Sequence, residues 1–297
     1  MSGDPARIDV VFAANRSYVP YLSAALTSLR HNLAPRATVH ARVLTRDLDP
    51  ADLRWPNRRQ DDTLDCVAPQ IPPDTRLPIR NTDHVSLETY YRLFLDRVFD
   101  ASVKRVIYLD SDLVVLGDLA RLQALDLKGK TVAAAWDLHV RDWSQVRCLE
   151  SPHASRQTYF NAGVLVIDLE AWRARSVGSR AVRFLAETPH EVLYWDQDAL
   201  NHALRDDWQP LDPRWNRTSC YWEQSRTASL PFPPDVIAQL ADPYIVHFAS
   251  QCKPWHAYRH PDRAIFDRYV TMAGFPEQRM TFTKALRRKV GRYLTRT

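Results

Sequence analysis

Short apolar runs alternate with helical stripes along the first part of this chain. The segments 8–14, 38–44 and 64–67 are apolar or alternating, which is typical of strands. Between the first two segments, apolar residues recur at helical spacing, at Val19, Leu22, Leu26, Leu29 and Leu33. This alternation of strand and helix favours an α/β fold with a Rossmann-like, mostly parallel sheet flanked by helices.

The stretch 105–115 is strongly apolar but carries two carboxylates, Asp110 and Asp112, separated by Ser111. A near-continuous apolar run is typical of a strand buried on both faces, and ligands of open α/β sheets bind outside the carboxyl ends of the strands. Two carboxylates one residue apart can bind one hard divalent cation. Because Asp-x-Asp triplets are also common by chance, this stretch by itself leaves the metal site open.

The same criteria predict the remaining elements. Ser86 can begin a helix that leads into 105–115, and the run that starts at Tyr159 is a strong strand that passes into a helix. Another helix begins at Trp195. A short helix is expected at 119–125, strands at 132–136 and 244–248, and a helix at 262–273. Irregular chain is expected at 69–81 and 138–159.

Polar residues stand at the ends of three of these elements, and each has two explanations. Asn161 and Gly163 at the entrance of a strand allow a ligand to approach the backbone, or form a tight turn. The acidic and amide residues 196–198 at a helix start can serve a site or interact with the helix dipole. His247 at a strand end is a ligand or a hydrogen-bonded structural residue.

Composition excludes several classes of protein. The 297 residues include only seven glycines and no Gly-x-Gly-x-x-Gly turn, which argues against a dinucleotide-binding dehydrogenase. The four cysteines form no Cys-x-x-Cys pair, so neither a zinc site nor a disulfide framework is supported. The net charge of +5 is scattered along the chain, and we therefore expect an anionic small ligand or an anionic membrane rather than nucleic acid.

The two ends of the chain bear on its location. The first residues lack the charged and apolar regions of a signal peptide, so a cytoplasmic protein is expected. The segment 281–297 carries six basic residues and no acidic one, with Phe282, Leu286, Val290 and Tyr293 on one helical face. Such a helix can lie peripherally on an anionic membrane, or it can pack its apolar face on the body of the protein.

Several segments between residues 8 and 255, in order, resemble glycosyltransferase family 8, the retaining enzymes that include glycogenin and bacterial lipopolysaccharide galactosyltransferases. The segments are Phe12–Asn15 with Tyr18, His84–Ser86 leading to Arg92, Leu109–Asp112, Phe160–Val164, Asp196–Asp198, and His247 with Lys253–Trp255. The resemblance implies a GT-A type fold, with a catalytic domain over 1–275 and a basic tail over 276–297.

The resemblance also implies a role for each matching residue. Asp110, Asp112 and His247 would bind Mn²⁺ (or Mg²⁺) against the diphosphate of a UDP-sugar, with Lys253 beside it. Further implied contacts are Ala13, Ala14, Asn15, Tyr18 and Ser111 with the nucleotide side, Arg92, Asn161, Asp196 and Gln197 with the sugar, and His84 and Tyr194 with the acceptor. Asn15 departs from the galactosyltransferase branch, which has Asp there, so the subfamily stays open.

The implied reaction is metal-dependent transfer of glucose or galactose from the UDP-sugar to a hydroxyl of a saccharide, a glycolipid or a small molecule, with retention. Carboxylates plus one imidazole suit Mn²⁺ better than zinc. No residue is an obvious carboxylate nucleophile, which favours front-face substitution. Two alternatives stay open: a metal-dependent nucleotidyltransferase, which would release pyrophosphate, and a carbohydrate-binding protein without turnover.

Overall fold

The computed structural model describes residues 7–78, 86–140, 142–149, 158–219, 221–222, 233–249 and 252–287. His84, residues 79–81, 141 and 150–157 of the two predicted irregular segments, and the last ten residues of the tail therefore lie outside the described residues. The strands are β1 (Arg7–Ala13), β2 (Thr38–Leu44), β3 (Thr63–Val67), β4 (Arg105–Leu109), β5 (Leu113–Val115), β6 (Val132–Trp136), β7 (Phe160–Asp168), β8 (Trp208–Pro210), β9 (Arg217–Thr218) and β10 (Ile245–His247). The segments 38–44 and 132–136 are strands with the predicted bounds.

Within these residues a seven-stranded sheet has the order β3-β2-β1-β4-β7-β6-β8. Strand β1 pairs in parallel with β2 and β4, and β2 with β3. Strand β8 pairs in parallel with β6, whereas β7 runs antiparallel to both of its neighbours, β4 and β6. The prediction of a mostly parallel sheet is confirmed, and the reversed β7 is its exception.

Helices cover the sheet because its strands are apolar on both faces. The helices are α1 (Val19–Asn32), α2 (Ala120–Gln123), α3 (Leu169–Ala174), α4 (Val177–Glu187), α5 (Trp195–Leu204), α6 (Pro234–Gln239) and α7 (Arg263–Met272). One core contains Val10 and Phe12 of β1 with Leu26 of α1, and the other contains Val11 with residues of α3, α4 and α5. The fold thus has three layers, as the α/β prediction requires.

The second apolar run of the stretch 105–115 leaves the central sheet. Strand β5 belongs to a smaller sheet with the order β5-β10-β9, in which β5 and β10 are antiparallel. The chain changes sheets between Leu109 and Leu113, so Asp110 and Asp112 lie at the junction. The carboxylates therefore follow the carboxyl end of β4, as predicted.

The element predicted after Ser86 is a 3-10 helix, Leu87–Arg97, with non-helical backbone angles at Phe94. With an α-helical period Arg92 falls outside the apolar stripe, but in the structure its side chain is buried. Six consecutive residues, Tyr90 to Leu95, are buried, so this segment is enclosed on all sides and an apolar stripe does not identify its buried residues.

Residues 282–287 of the tail are helical, and Phe282 and Leu286 are 63% and 51% exposed. In the part of the chain that the structure describes, no helix has the length and apolar character that crossing a membrane requires.

Candidate active site

The reversed direction of β7 assembles the site. Because β7 is antiparallel to β4, with Leu109 opposite Val164, the start of β7 meets the carboxyl end of β4. The backbone N–H of Asp110 donates to the carbonyl of Gly163 at 2.8 Å. Gly163, which the sequence placed with Asn161 at a strand entrance, is thereby brought beside the Asp110 carboxylate.

Asp110, Asp112 and His247 form a cluster whose ligand atoms all lie within 4.8 Å of one another. His247 Nε2 is 3.4 Å from an oxygen of Asp110 and 3.3 Å from an oxygen of Asp112. The pairing of β10 with β5, which sets His247 opposite Leu113, brings the imidazole to the carboxylates. Two carboxylates with one imidazole make a donor set that fits Mn²⁺ or Mg²⁺.

Lys253 completes this cluster. Its Nζ lies 2.5 Å from Asp112 Oδ2, and it also donates to the carbonyl of Phe248. Burial on its own would raise the pKa of Asp112, but the charge of Lys253 and the contact with His247 outweigh burial and lower that pKa below its ordinary value. Asp112 is therefore ionised over the whole physiological range.

Arg92 is a buried cation between two carboxylates. Its guanidinium donates to Asp110 Oδ1 at 2.8 Å and to the carbonyl of Ala162 at 2.6 Å, and it stacks on the ring of Tyr108 at 4.2 Å. Burial would lower the pKa of Arg92, but the charges of Asp110 and Asp196 raise it above its ordinary value. Arg92 therefore stays charged and holds Asp110 from the side away from His247.

Asp196 has an unusual electrostatic environment. Its Oδ2 lies 2.9 Å from Arg92 Nε, but the Nε–H is hydrogen-bonded to the carbonyl of Thr89, and among the described residues none donates a hydrogen bond to that oxygen. Burial raises the pKa of Asp196 to about 7, and the attraction of Arg92 offsets only part of this effect. The carboxyl can thus accept from, or donate to, a ligand hydroxyl near neutral pH.

The amide groups of Asn161 and Gln197 converge on Asp137. Asn161 Nδ2 and Gln197 Nε2 donate to Asp137 Oδ2 at 2.9 and 3.2 Å. The backbone N–H of Ala162 donates to Gln197 Oε1 at 2.9 Å. The sequence analysis missed Asp137, although it directly follows the predicted strand 132–136, and the rule that selected Asp110 at a strand end would have selected Asp137 as well.

Asp198 anchors the start of α5 rather than facing a ligand. It is fully buried and accepts hydrogen bonds from the backbone N–H groups of Leu193 and Tyr194 and from the hydroxyl of Tyr159, at 2.7, 2.9 and 2.5 Å. Its contacts fix the turn that presents Asp196 and Gln197. Tyr194, the residue predicted to face the acceptor, stands in this turn, with its ring 6.5 Å from that of His139.

The predicted nucleotide residues lie at the carboxyl end of β1, next to β4 in the sheet. Asn15 caps the short 3-10 helix Arg16–Tyr18 by accepting from the N–H of Ser17. Burial raises the pKa of Tyr18, and the negative charges of Asp112 and Asp110 raise it further, because its hydroxyl lies in the field of these carboxylates. Ala13 ends β1 and Ala14 follows it, and Ser111 follows the carboxyl end of the neighbouring strand β4. The structure thus brings together, at one edge of the sheet, all the predicted site residues that it describes.

Three comparisons with known proteins bear on this site. The family described as "Glycosyl transferase family 8" matches residues 9–259. General stress protein A of Bacillus subtilis (strain 168) is 31% identical over 271 residues, which cover 88% of this chain and 92% of that protein. The lipopolysaccharide 1,2-glucosyltransferase of Escherichia coli (strain K12) is 27% identical over 169 residues, which cover 57% of this chain and 49% of that protein.

Among solved structures, the galactosyltransferase LgtC in complex with donor and acceptor sugar analogues matches with a TM-score of 0.71 and 25% identity. The match covers 90% of this chain and 95% of LgtC. The chain therefore spans nearly the full length of two of these relatives and about half of the length of the third.

Proposed function

The chain belongs to glycosyltransferase family 8, and on that premise we propose that it transfers a hexose from a UDP-sugar to a hydroxyl acceptor with the help of a divalent metal ion. The observation that carries the proposal is the convergence of Asp110, Asp112 and His247 within 4.8 Å, with Lys253 in contact with Asp112. These groups lie outside the carboxyl end of β4, where ligands of open α/β sheets bind.

Asp110, Asp112 and His247 would hold Mn²⁺ or Mg²⁺, which acts as a Lewis acid on the departing diphosphate. Lys253 adds a compact positive charge beside the same diphosphate. Uridine would contact Ala13, Ala14, Asn15, Tyr18 and Ser111. These roles agree with the position of β1 next to β4, because the nucleotide then lies along the carboxyl ends of two adjacent strands.

The donor sugar would lie against Arg92, Asn161, Asp196 and Gln197. The buried oxygen of Asp196 is suited to a sugar hydroxyl, because a hydroxyl supplies the hydrogen bond that this oxygen lacks among the described residues. UDP-glucose and UDP-galactose are the proposed donors. His84 and Tyr194 are proposed to face a saccharide, glycolipid or small-molecule acceptor.

The contacts of the nearby carboxylates support retention by front-face substitution. Asp198 is enclosed by its hydrogen-bond donors, and Asp196 is paired with Arg92. Neither carboxylate is therefore a free nucleophile for the anomeric carbon. In the proposed step, the bond between the anomeric carbon and the diphosphate oxygen breaks, and a bond from that carbon to the acceptor oxygen forms on the same face. The acceptor proton passes to the departing phosphate oxygen.

We also propose that 281–297 contacts the anionic inner face of the membrane, which would give the enzyme a peripheral cytoplasmic location. The exposed Phe282 and Leu286 lie in a helical segment that also contains Lys284 and Arg287. Apolar side chains flanked by cations match the chemistry of an anionic lipid surface.

The test is release of UDP from a panel of UDP-sugars, with Mn²⁺ or with EDTA, for the wild type and for Asp112→Asn. The proposal expects release from one UDP-hexose that requires metal and is lost in the variant. Asp65→Asn, an exposed carboxylate on β3, is the matched control and should keep the activity. Release of pyrophosphate, or metal-independent binding without turnover, would contradict the proposal.

A further inference from the structure

The second ring nitrogen of His247 faces a buried amide. Asn216, which is 2% exposed, lies with its Oδ1 2.9 Å from His247 Nδ1. It ends the short 3-10 helix Pro213–Asn216, directly before β9, which pairs in parallel with β10. The pairing holds Asn216 beside His247, although no sequence pattern marks this asparagine.

The orientation of the amide groups follows from a single backbone donor. The N–H of Gly163 can only donate, and it lies 3.0 Å from the Asn161 side-chain atom assigned as Oδ1, so that atom must be the oxygen. The other end of the Asn161 amide is then the NH₂ group. It faces Asp137 Oδ2 at 2.9 Å, which is consistent because a carboxylate accepts.

The same logic extends to the imidazole. The Asn216 atom that lies 2.8 Å from Asn161 Oδ1 must be its NH₂ group, because two amide oxygens would repel each other. The Asn216 oxygen therefore faces His247 Nδ1. An amide oxygen only accepts, so Nδ1 must carry the hydrogen, and the lone pair of a neutral ring stands on Nε2.

We infer that Asn216 is a positioning residue that holds His247 as the Nδ1–H tautomer and directs the Nε2 lone pair towards a metal ion between Asp110 and Asp112. The inference rests on the proposed metal site. Without Asn216, a hydrogen on Nε2 would satisfy the two carboxylates at 3.3 and 3.4 Å and would compete with the metal. Hydrogen-bond partners of this kind orient metal-binding histidines and raise their basicity.

The hydrogen-bond chain also connects the metal site to the sugar side. It runs from His247 through Asn216 and Asn161 to Asp137, which also holds the amide of Gln197. A change at Asn216 therefore disturbs both metal affinity and the amides proposed to contact the sugar.

The first measurement is Mn²⁺ affinity in the presence of UDP, from the electron paramagnetic resonance signal of free Mn²⁺. Asn216→Leu keeps the size of the side chain but removes both hydrogen bonds, and it should weaken Mn²⁺ binding by about 10- to 100-fold. Asn216→Asp can still accept from Nδ1–H but loses the hydrogen bond to Asn161 Oδ1, so it should bind Mn²⁺ more weakly than the wild type and more tightly than Asn216→Leu. Asn201→Leu removes another buried amide, hydrogen-bonded to Phe160 and Gln197, and should leave Mn²⁺ affinity near the wild-type value.

The second measurement is the Nδ1–H resonance of His247 in protein with ¹⁵N-labelled histidine, Mg²⁺ and UDP, assigned by its loss in His247→Gln. The wild type and Asn216→Asp should show a slowly exchanging Nδ1–H, whereas Asn216→Leu should not. If Asn216→Leu does not fold, the Nδ1–H resonance in the wild type and in Asn216→Asp still tests the inference.

Equal Mn²⁺ affinity of the wild type and a folded Asn216→Leu would overturn the inference and leave the proposed metal site standing. The absence of a protected Nδ1–H in the wild type would also overturn it. Failure of the wild type itself to bind Mn²⁺ with UDP would instead refute the metal site, and the inference with it.

Discussion

Substitution of Gly163 by alanine tests whether the close packing around the proposed metal site is functional. The added Cβ would lie 2.2 Å from Cε1 of the His247 ring and 2.8 Å from Asp110 Oδ2. Carbon atoms in favourable contact are about 3.5 Å apart, so the ring or β7 has to move by roughly 1.3 Å. Neither can move freely, because β7 is paired on both sides and the His247 ring is held by Asn216.

Two effects of Gly163→Ala are expected. Overpacking should lower the free energy of unfolding by about 1–3 kcal/mol. Displacement of a side chain of the proposed metal site by roughly 1 Å should lower kcat/KM by about 100-fold, because catalytic geometry tolerates little error. Mn²⁺ affinity should fall as well, because His247 and Asp110 are separated by the new atom.

The assay is UDP release with the preferred donor, together with Mn²⁺ affinity and thermal unfolding of the same preparation. Gly129→Ala is the matched control, because it has open space around the added Cβ but a backbone φ of +76° that favours glycine. The control should lose stability and keep its kcat/KM. Wild-type metal affinity and kcat/KM in a folded Gly163→Ala protein would refute the reasoning that the glycine is required by the cluster.

Three further predictions follow from the same contacts. Arg92→Lys keeps the charge but cannot reach Asp110 and the Ala162 carbonyl together, so kcat/KM should fall by roughly 100-fold in the UDP-release assay. Burial raises the pKa of Asp196 to about 7, so between about pH 4 and pH 7 the folded protein binds a proton that the unfolded chain has lost. The wild type therefore becomes less stable as the pH rises towards 7. The melting temperature of Asp196→Asn relative to the wild type should therefore rise between pH 5 and pH 8, and a constant difference would contradict this assignment. Deletion of the residues after Met280 should lower binding to anionic liposomes and leave hydrolysis of the UDP-sugar intact, whereas unchanged liposome binding would remove the membrane proposal.

Local pattern was sufficient for much of the fold. The apolar runs predicted strands at 38–44 and 132–136 with the observed bounds, because side-chain period reports directly on burial. The end of an apolar run also placed Asp110 and Asp112 at the carboxyl end of β4, and the order of the matching segments identified the family. Roles of individual residues at the site stay predictions until the variants are measured.

Strand direction and long-range pairing were decided only in three dimensions. The apolar pattern of β7 is the same whichever way the strand runs, yet its antiparallel pairing with β4 is what brings Gly163 to Asp110. Asn216 stands in a turn without any period, and it reaches His247 only because β9 pairs with β10. Arg92 lies off the apolar stripe but is buried, because tertiary contacts enclose the whole run from Tyr90 to Leu95 and pair Arg92 with Asp110 and Asp196. Sequence period thus determined where the main strands lie and where they end, whereas the partners of each site residue depended on contacts between segments far apart in the chain.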